Sequence, residues 1–468
     1  MSRCQTPSFD NFFGNIVRII SYNVQFNWTM PFNTNNPSKT VGSGFFFDAE
    51  GHILTCSHVV DSTNKHLYIE IPSEGSHQYK VTVVGICPFF DIAVLKVKNY
   101  KNPSYCSLDT KTDIKVGMET YAIGYPLGQD NLKFTKGIIS GQQYNFVQTD
   151  ASINPGNSGG PLVYNNKVVG INAAGVPASE AEGIGYAIPI SRFLLVKPYF
   201  LKRGRGGSKL LHYPEYFGFE NMQNTSADMS AFMRSECASG GVYINGIIPK
   251  SPVSKTKLKT GDVVCRINDV QIDSYGKLQS KWMNENITML NMLSVVGLDK
   301  KIKINYWNGE KMVVERFAMT TFAPVIRETY PMYEKIDYEC IGGLILMMLN
   351  KNIIETLKNH ELLKYLQIEN IMDKCLVITN VLVGSSVYKM NVLTAGDVVH
   401  SVNDVKVHTL NDFRKAYRKD NKFLRLETTQ QKVMVVSKPT LMRDDALLQK
   451  TYQYKPSQLI LKKRTQQK

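Results

Sequence analysis

The chain of 468 residues has no Cys-x-x-Cys pair, no apolar run approaching a bilayer span of ~20 residues, and no low-complexity stretch. Its eight cysteines, at 4, 56, 87, 106, 237, 265, 340 and 375, are scattered. Zinc ribbons and thioredoxin-type chemistry are therefore excluded. Cys265 and Cys375 lie inside apolar runs, where cysteine behaves as a small buried hydrophobe. That usage predicts a reducing compartment. Residues 1–5 carry no charged-then-apolar leader. The expectation is a cytosolic or nucleocytoplasmic protein, or one packaged in a virion if the lysine- and asparagine-rich composition is viral. The sequons at Asn27, Asn224 and Asn286 would then stay unmodified.

What is present is an ordinary globular composition, 43% hydrophobic and 10% aromatic, long enough for two to four domains. A net charge of +15 raises nucleic-acid or membrane-surface binding. Its clearest clusters, Lys202-Arg203-Gly204-Arg205 and Lys462-Lys463-Arg464, lack interleaved aromatics, so no specific nucleic-acid partner and no membrane span are expected.

Residues 1–40 read as an N-terminal segment with one strand, around Ile16-Val17-Arg18-Ile19-Ile20, and a polar loop. Phe12 and Phe13 fit either a core or a neighbouring subunit. From 41 to about 190, short β-prone runs alternate with Gly-rich turns and helical periodicity is nearly absent. The fold class is mainly β, with two small packed barrels over 41–201. Residues 202–210 make the best linker. Beyond it, residues 260–272 recur at 395–407 with seven of thirteen positions identical. Two copies 135 residues apart are too distant for a solenoid and imply two related domains, 211–325 and 336–455, then a basic tail at 456–468.

The stretch 149–162 concentrates glycine and proline around one hydroxyl, in Asn154-Pro155-Gly156-Asn157-Ser158-Gly159-Gly160. Such a backbone can present a nucleophilic serine and aim amides at an oxyanion, or it can simply turn. A serine nucleophile needs a base and a carboxylate that orients the base. His58 follows the strand-like Ile53-Leu54-Thr55-Cys56 and precedes Val59-Val60. Asp91 interrupts an apolar run, Phe89-Phe90 before it and Ile92-Ala93-Val94-Leu95 after it, and so requires a partner. By themselves, His58 could be a satisfied core histidine and Asp91 a strand cap.

In order, Val41-Gly42-Ser43-Gly44-Phe45, Thr55-Cys56-Ser57-His58, Asp91-Ile92-Ala93 and 149–162 resemble the Deg/HtrA (DegP-like) family of chymotrypsin-fold serine proteases. The resemblance implies a trypsin-like double β-barrel hydrolase with His58 as general base, Asp91 as its orienter and Ser158 as nucleophile. It implies an oxyanion hole from the amides of Gly156 and Ser158, and a pocket lined by Ser152, Ile153 and Asn172. Cys56-Ser57 replaces the family's usual Asn-Ala. The stretch 174–189 is similar to the family loop that shapes the pocket and switches activity. No metal or organic cofactor is expected.

The same resemblance makes the repeat two PDZ-type domains of five to six strands. Tyr216, Phe217, Gly218 and Phe219 match the loop that captures a peptide carboxylate. The second copy, beginning near Gly342-Gly343-Leu344-Ile345 with a helical insert at about 351–366, is similar to the plant-type eukaryotic Deg branch; it could bind peptide or pack on a subunit. The implied function is an ATP-independent serine endopeptidase acting on unfolded or damaged proteins, a homo-trimer or larger, with a catalytically quiescent chaperone-like or peptide-binding protein as the alternative. Ser152, six residues before Ser158, offers no charge to a basic P1 side chain, which predicts a preference for small or medium apolar P1 residues.

Overall fold

The computed structural model describes residues 9–459 except 34, 61–65, 103, 112, 144–145, 176–182, 202–208, 215–216, 238–239, 280–285, 294–295 and 420–421. The described chain forms two compact units: 1–23 with 38–323, and 24–37 with 324–468.

The first unit begins with a closed barrel of six strands, β1 (Ile16–Asn23), β2 (Ser38–Phe46), β3 (His52–Thr55), β4 (His66–Glu70), β5 (Gln78–Cys87) and β6 (Ile92–Val97), in the order β1-β2-β3-β6-β5-β4. A second closed barrel follows, β7 (Glu119–Gly124), β8 (Lys133–Gln143), β9 (Phe146–Thr149), β10 (Pro161–Tyr164), β11 (Lys167–Gly175) and β12 (Gly185–Pro189), in the order β10-β11-β12-β9-β8-β7. This is the mainly β, chymotrypsin-like architecture expected. β3 is buried along its whole length because β2 and β6 flank it. Ile139, Val147, Leu162 and Val169 fill the second barrel. Burying each such side chain contributes about 1.5–3 kcal/mol. The helix Ile190–Leu201 continues through Pro198 and sets Phe193 edge-on against Phe47 at 5.0 Å.

The first unit also holds a PDZ-type sheet of β13 (Phe219–Asn224), β14 (Val242–Ile247), β15 (Val263–Ile267), β16 (Val270–Gln271), β19 (Lys301–Trp307) and β20 (Met312–Ala318), in the order β13-β14-β15-β19-β20 with β16 on β15. A separate hairpin pairs β17 (Lys277–Gln279) with β18 (Asn286–Thr288). Cys265 is not the free buried thiol expected: it forms a disulfide with Cys237, 28 residues away. The pair packs with Val263 and Trp307. Cys237→Ser is expected to cost this sheet about 2–4 kcal/mol, the usual worth of a cross-link closing such a loop. Denaturant unfolding followed by tryptophan fluorescence, with and without reductant, checks it.

The second unit contains β21 (Tyr338–Ile341), β22 (Leu344–Met348), β23 (Leu376–Val381), β24 (Val398–Val402), β25 (Val405–Lys406), β26 (Phe423–Thr428) and β27 (Val433–Ser437). The sheet order is β21-β22-β23-β24-β26-β27, with β25 on β24. Residues 24–37, the connection between β1 and β2, belong to this unit. Trp28 is buried with Ile353, Leu362 and Val377, and Phe32 lies 5.1 Å from the Tyr454 ring. The helix Lys351–Leu357 and the 3-10 turn His360–Leu366 occupy the expected insert.

Candidate active site

His58 stands on a single 3-10 turn, Ser57–Val59, where β3 leaves the first barrel. Its Nδ1 is 2.7 Å from Asp91 Oδ2. Asp91 has a left-handed backbone (φ 55°) at the end of the turn Pro88–Phe90, and this aims its carboxylate back at His58. The other oxygen, Oδ1, accepts the His58 amide and the Ser57 hydroxyl, each at 2.9 Å. The Ser57 amide donates to the Asp91 carbonyl at 3.1 Å. Backbone and carboxylate are thus held by one short turn, and the carboxylate in turn determines which imidazole nitrogen carries the proton.

The hydroxyl of Ser57, one of the two departures from the family pattern, therefore positions the carboxylate. Ser57→Ala is expected to lower kcat/KM about tenfold, less than the full worth of a hydrogen bond to a charged group because the His58 amide remains. Steady-state kinetics with an unchanged melting temperature would distinguish this from a folding defect. Cys56 is buried, with Sγ 3.3 Å from the Asn172 carbonyl. Burial first, then the charge of Asp91, pushes its thiol well up, so it is a protonated group and not a competing nucleophile.

A His–Asp pair alone is not diagnostic in this fold. His52 Nδ1 lies 2.7 Å from Asp48 Oδ2 in the β2–β3 turn. The sequence signal for this contact is a carboxylate four residues upstream across a hairpin turn.

Ser158 sits in the turn before β10. Its carbonyl accepts the Ser43 amide at 2.8 Å, which pins the turn to β2 of the other barrel. Its Oγ donates to the Ala173 carbonyl at 2.9 Å. The hydroxyl is therefore parked, and its proton must turn from this carbonyl before it can pass to an imidazole.

Gly156 and Ser158, the residues expected to form an oxyanion hole, lie in one constrained turn. Gly156 has φ +99° and approaches residues 125–128 so closely that a side chain would collide with them. The Pro155 carbonyl accepts the Leu127 amide at 2.6 Å. Because the peptide is planar and trans, the Gly156 N–H must point away from that loop. Ser43 Oγ binds the Gly156 carbonyl at 2.6 Å and receives the Tyr125 amide at 2.9 Å. Among the described residues, neither the Gly156 nor the Ser158 amide donates to a protein acceptor. Gly159, at φ +86°, lets the chain leave against Ser43 and Thr55.

The expected pocket residues differ in exposure. Ser152 is exposed, but Ile153 is 5% exposed and belongs to the core of the second barrel. Asn172 is fully buried, its amide nitrogen 3.2 Å from both the Ile123 and Pro161 carbonyls. It ties three strands together. Of the switching loop 174–189, residues 176–182 lie outside the described residues.

In the first PDZ-type sheet, Tyr216 lies outside the described residues, whereas Phe217, Gly218 and Phe219 form the turn into β13. Gly218 has φ +111° against Ser251, and its carbonyl accepts the Ile248 amide at 2.7 Å. Among the described residues β13 pairs only with β14, so one edge has no protein strand on it. The corresponding strand of the second unit is β22, where Gly343 packs on Ser385 as Gly218 does on Ser251. There β21 pairs with the equivalent edge, Ile341 opposite Leu344 and Tyr338 opposite Met347.

Known proteins agree with this geometry. The trypsin-like peptidase domain matches residues 42–171, and the PDZ domain matches residues 328–456. The chain is 32% identical over 274 residues to a probable periplasmic serine endoprotease, DegP-like, of Chlamydia pneumoniae, covering 56% of this chain and 54% of that one. The match thus spans about half of that relative's length. It is 30% identical over 292 residues to the putative serine protease HhoA of Synechocystis, covering 58% of this chain and 68% of the relative. The HtrA-type protease AlgW solved with a tripeptide superposes with a TM-score of 0.51 at 25% identity, over 68% of this chain and 98% of that structure. The periplasmic naming overturns the cytosolic expectation, which rested on unpaired cysteines. The shared sequence, covering two thirds of the Synechocystis protease, together with the two domains that match, makes this chain a member of the Deg/HtrA family of serine proteases.

Proposed function

We propose that this chain is an ATP-independent serine endopeptidase that cleaves unfolded or damaged proteins through His58, Asp91 and Ser158. The observation that carries the reading is the His58–Asp91 pair at 2.7 Å beside a serine turn whose two amides are unclaimed. In the reaction, Ser158 Oγ leaves the Ala173 carbonyl, gives its proton to His58 Nε2 and attacks the scissile carbonyl. Asp91 holds the proton on Nδ1 and balances the imidazolium. The Gly156 and Ser158 amides stabilise the oxyanion, an interaction for which one donor is typically worth ~10²–10³ in turnover. His58 then protonates the leaving amine, and water repeats the sequence on the acyl-enzyme. The parked hydroxyl fits a resting enzyme and not a dead one, since every group is retained. Digestion of unfolded casein by wild type and Ser158→Ala tests the reading: wild type alone should cleave, and equal cleavage by both would refute it.

Domain roles follow in the same proposal: proteolysis by 41–201, peptide capture by 211–325 along the β13 edge, and assembly or regulation by 336–455, whose equivalent edge is occupied by β21. The helical insert and this added strand support kinship with the plant-type Deg branch. A homo-trimer or larger assembly is supported by Phe13, half-exposed in an aromatic group with Phe9, Tyr121 and Phe134. The Cys237–Cys265 disulfide fits an oxidising, extracytoplasmic compartment. Ser152 remains the exposed, uncharged candidate for P1 contact. Peptide substrates with P1 Val or Leu should exceed P1 Arg in kcat/KM by at least about tenfold. A chromogenic series in which Arg ranks first would remove that specificity argument.

A further inference from the structure

We propose that Cys56, His58 and Asp91 form an inhibitory site for a thiophilic divalent cation, of which zinc is the best fit. The inference rests on reading His58 and Asp91 as base and orienter, and it assigns Cys56 a role that the proteolytic mechanism does not use. One donor atom from each of the three residues lies within 4.8 Å of the other two. Cys56 immediately precedes the turn that carries His58, so the same few backbone bonds place its Sγ and the imidazole. The Asn172 carbonyl, 3.3 Å from Sγ, adds a hard oxygen on the same side.

Zinc binds thiolate at ~2.3 Å and imidazole or carboxylate at ~2.0–2.2 Å, so neighbouring donors in a tetrahedron stand about 3.5 Å apart. The three side chains reach that spacing by shifts of roughly 1 Å, within the range of small side-chain rotations. A thiolate–imidazole–carboxylate set favours zinc over magnesium or calcium, which prefer all-oxygen sites. Binding releases one proton to solvent, the one on Cys56 Sγ, and moves the single His58 proton from Nδ1, where it faces Asp91, to Nε2. The fourth position is left to water or the Asn172 carbonyl.

The chemical consequence is direct. With Nδ1 committed to the cation, the neutral imidazole carries its one proton on Nε2 and cannot accept another from Ser158. Asparagine, the family's usual residue at position 56, supplies no soft donor. The sensitivity is therefore a property of this chain and not of the fold.

Two readouts on the full chain test the site. Cobalt(II) added to Ser158→Ala should produce a thiolate-to-metal absorption band that is lost in Ser158→Ala/Cys56→Ser. Micromolar zinc should suppress casein cleavage by wild type, reversibly with a chelator. Cys56→Ser should cleave normally and require about tenfold or more zinc for the same suppression, the usual scale for losing a ligand-shell partner. Should Cys56→Ser fold poorly, Cys56→Asn restores the family's residue and serves in its place. Absence of a Cys56-dependent band, or equal zinc sensitivity of wild type and the variant, would overturn the proposal. If wild type does not cleave casein, the protease reading fails while the cobalt band still decides the site.

Discussion

Replacing Ser158 by alanine is expected to lower kcat/KM for an unfolded protein by on the order of 10⁶, the largest effect of any single substitution in this chain. The size follows from what the residue alone supplies. No other hydroxyl occupies the turn whose carbonyl is pinned by the Ser43 amide, and alanine leaves that backbone bond intact. The Gly156 and Ser158 amides also survive, because the Pro155–Leu127 and Asn157–Gly160 backbone hydrogen bonds orient their peptides without the serine side chain. A residual acceleration of about 10³–10⁴ over water is therefore expected from binding and oxyanion stabilisation. The variant should fold with wild-type stability. It loses only a partly buried hydroxyl and its bond to the Ala173 carbonyl, and active-site groups are commonly neutral or costly for stability.

Asp91→Asn is expected to cost about 10⁴ in kcat, with little change in melting temperature. The two donors on Oδ1, the His58 amide and the Ser57 hydroxyl, fix the orientation of any side chain of this shape. Asparagine must place its carbonyl oxygen there, which turns its NH₂ toward His58 Nδ1. The imidazole then has to accept at Nδ1 and carry its proton on Nε2, and that tautomer cannot receive the Ser158 proton. The loss is chemical and not structural. Steady-state kinetics beside a thermal melt separates the two: a large fall in kcat with an unshifted melt is expected, whereas a matching loss of stability would show that Asp91 acts mainly as a scaffold.

Both barrels and the His58–Asp91 contact were legible in sequence because His58 and Asp91 each flank a short apolar strand, and such signals are local. The burial of Asn172 was not legible, for a physical reason. The pairing of β11 with β12 shifts register between Asn172 and Ala174, and a shift of one residue exchanges inward and outward faces. Alternation counted along β11 therefore does not fix which face Asn172 takes. The Cys237–Cys265 bond was equally hidden, since only the packing of β15 brings the two Cα atoms to 5.3 Å. The fate of 24–37 was illegible for the same reason. Phe26, Trp28 and Phe32 mark an apolar segment that must be buried somewhere, but the surface that buries it is formed more than 300 residues later in the chain. The strand β21 joins β22 through Gly342-Gly343, both at positive φ. That glycine pair was read only as the start of a domain, although two such residues between apolar runs also signal a hairpin.

The account stands on Ser158 being a nucleophile that can be activated. The most direct measurement is intact-mass and peptide analysis after treating wild type and Ser158→Ala with a fluorophosphonate, in the presence of unfolded casein. A single covalent adduct per wild-type chain, on the peptide containing Ser158, and none on Ser158→Ala is the predicted result. No adduct on wild type, or the same adduct on both proteins, would contradict it.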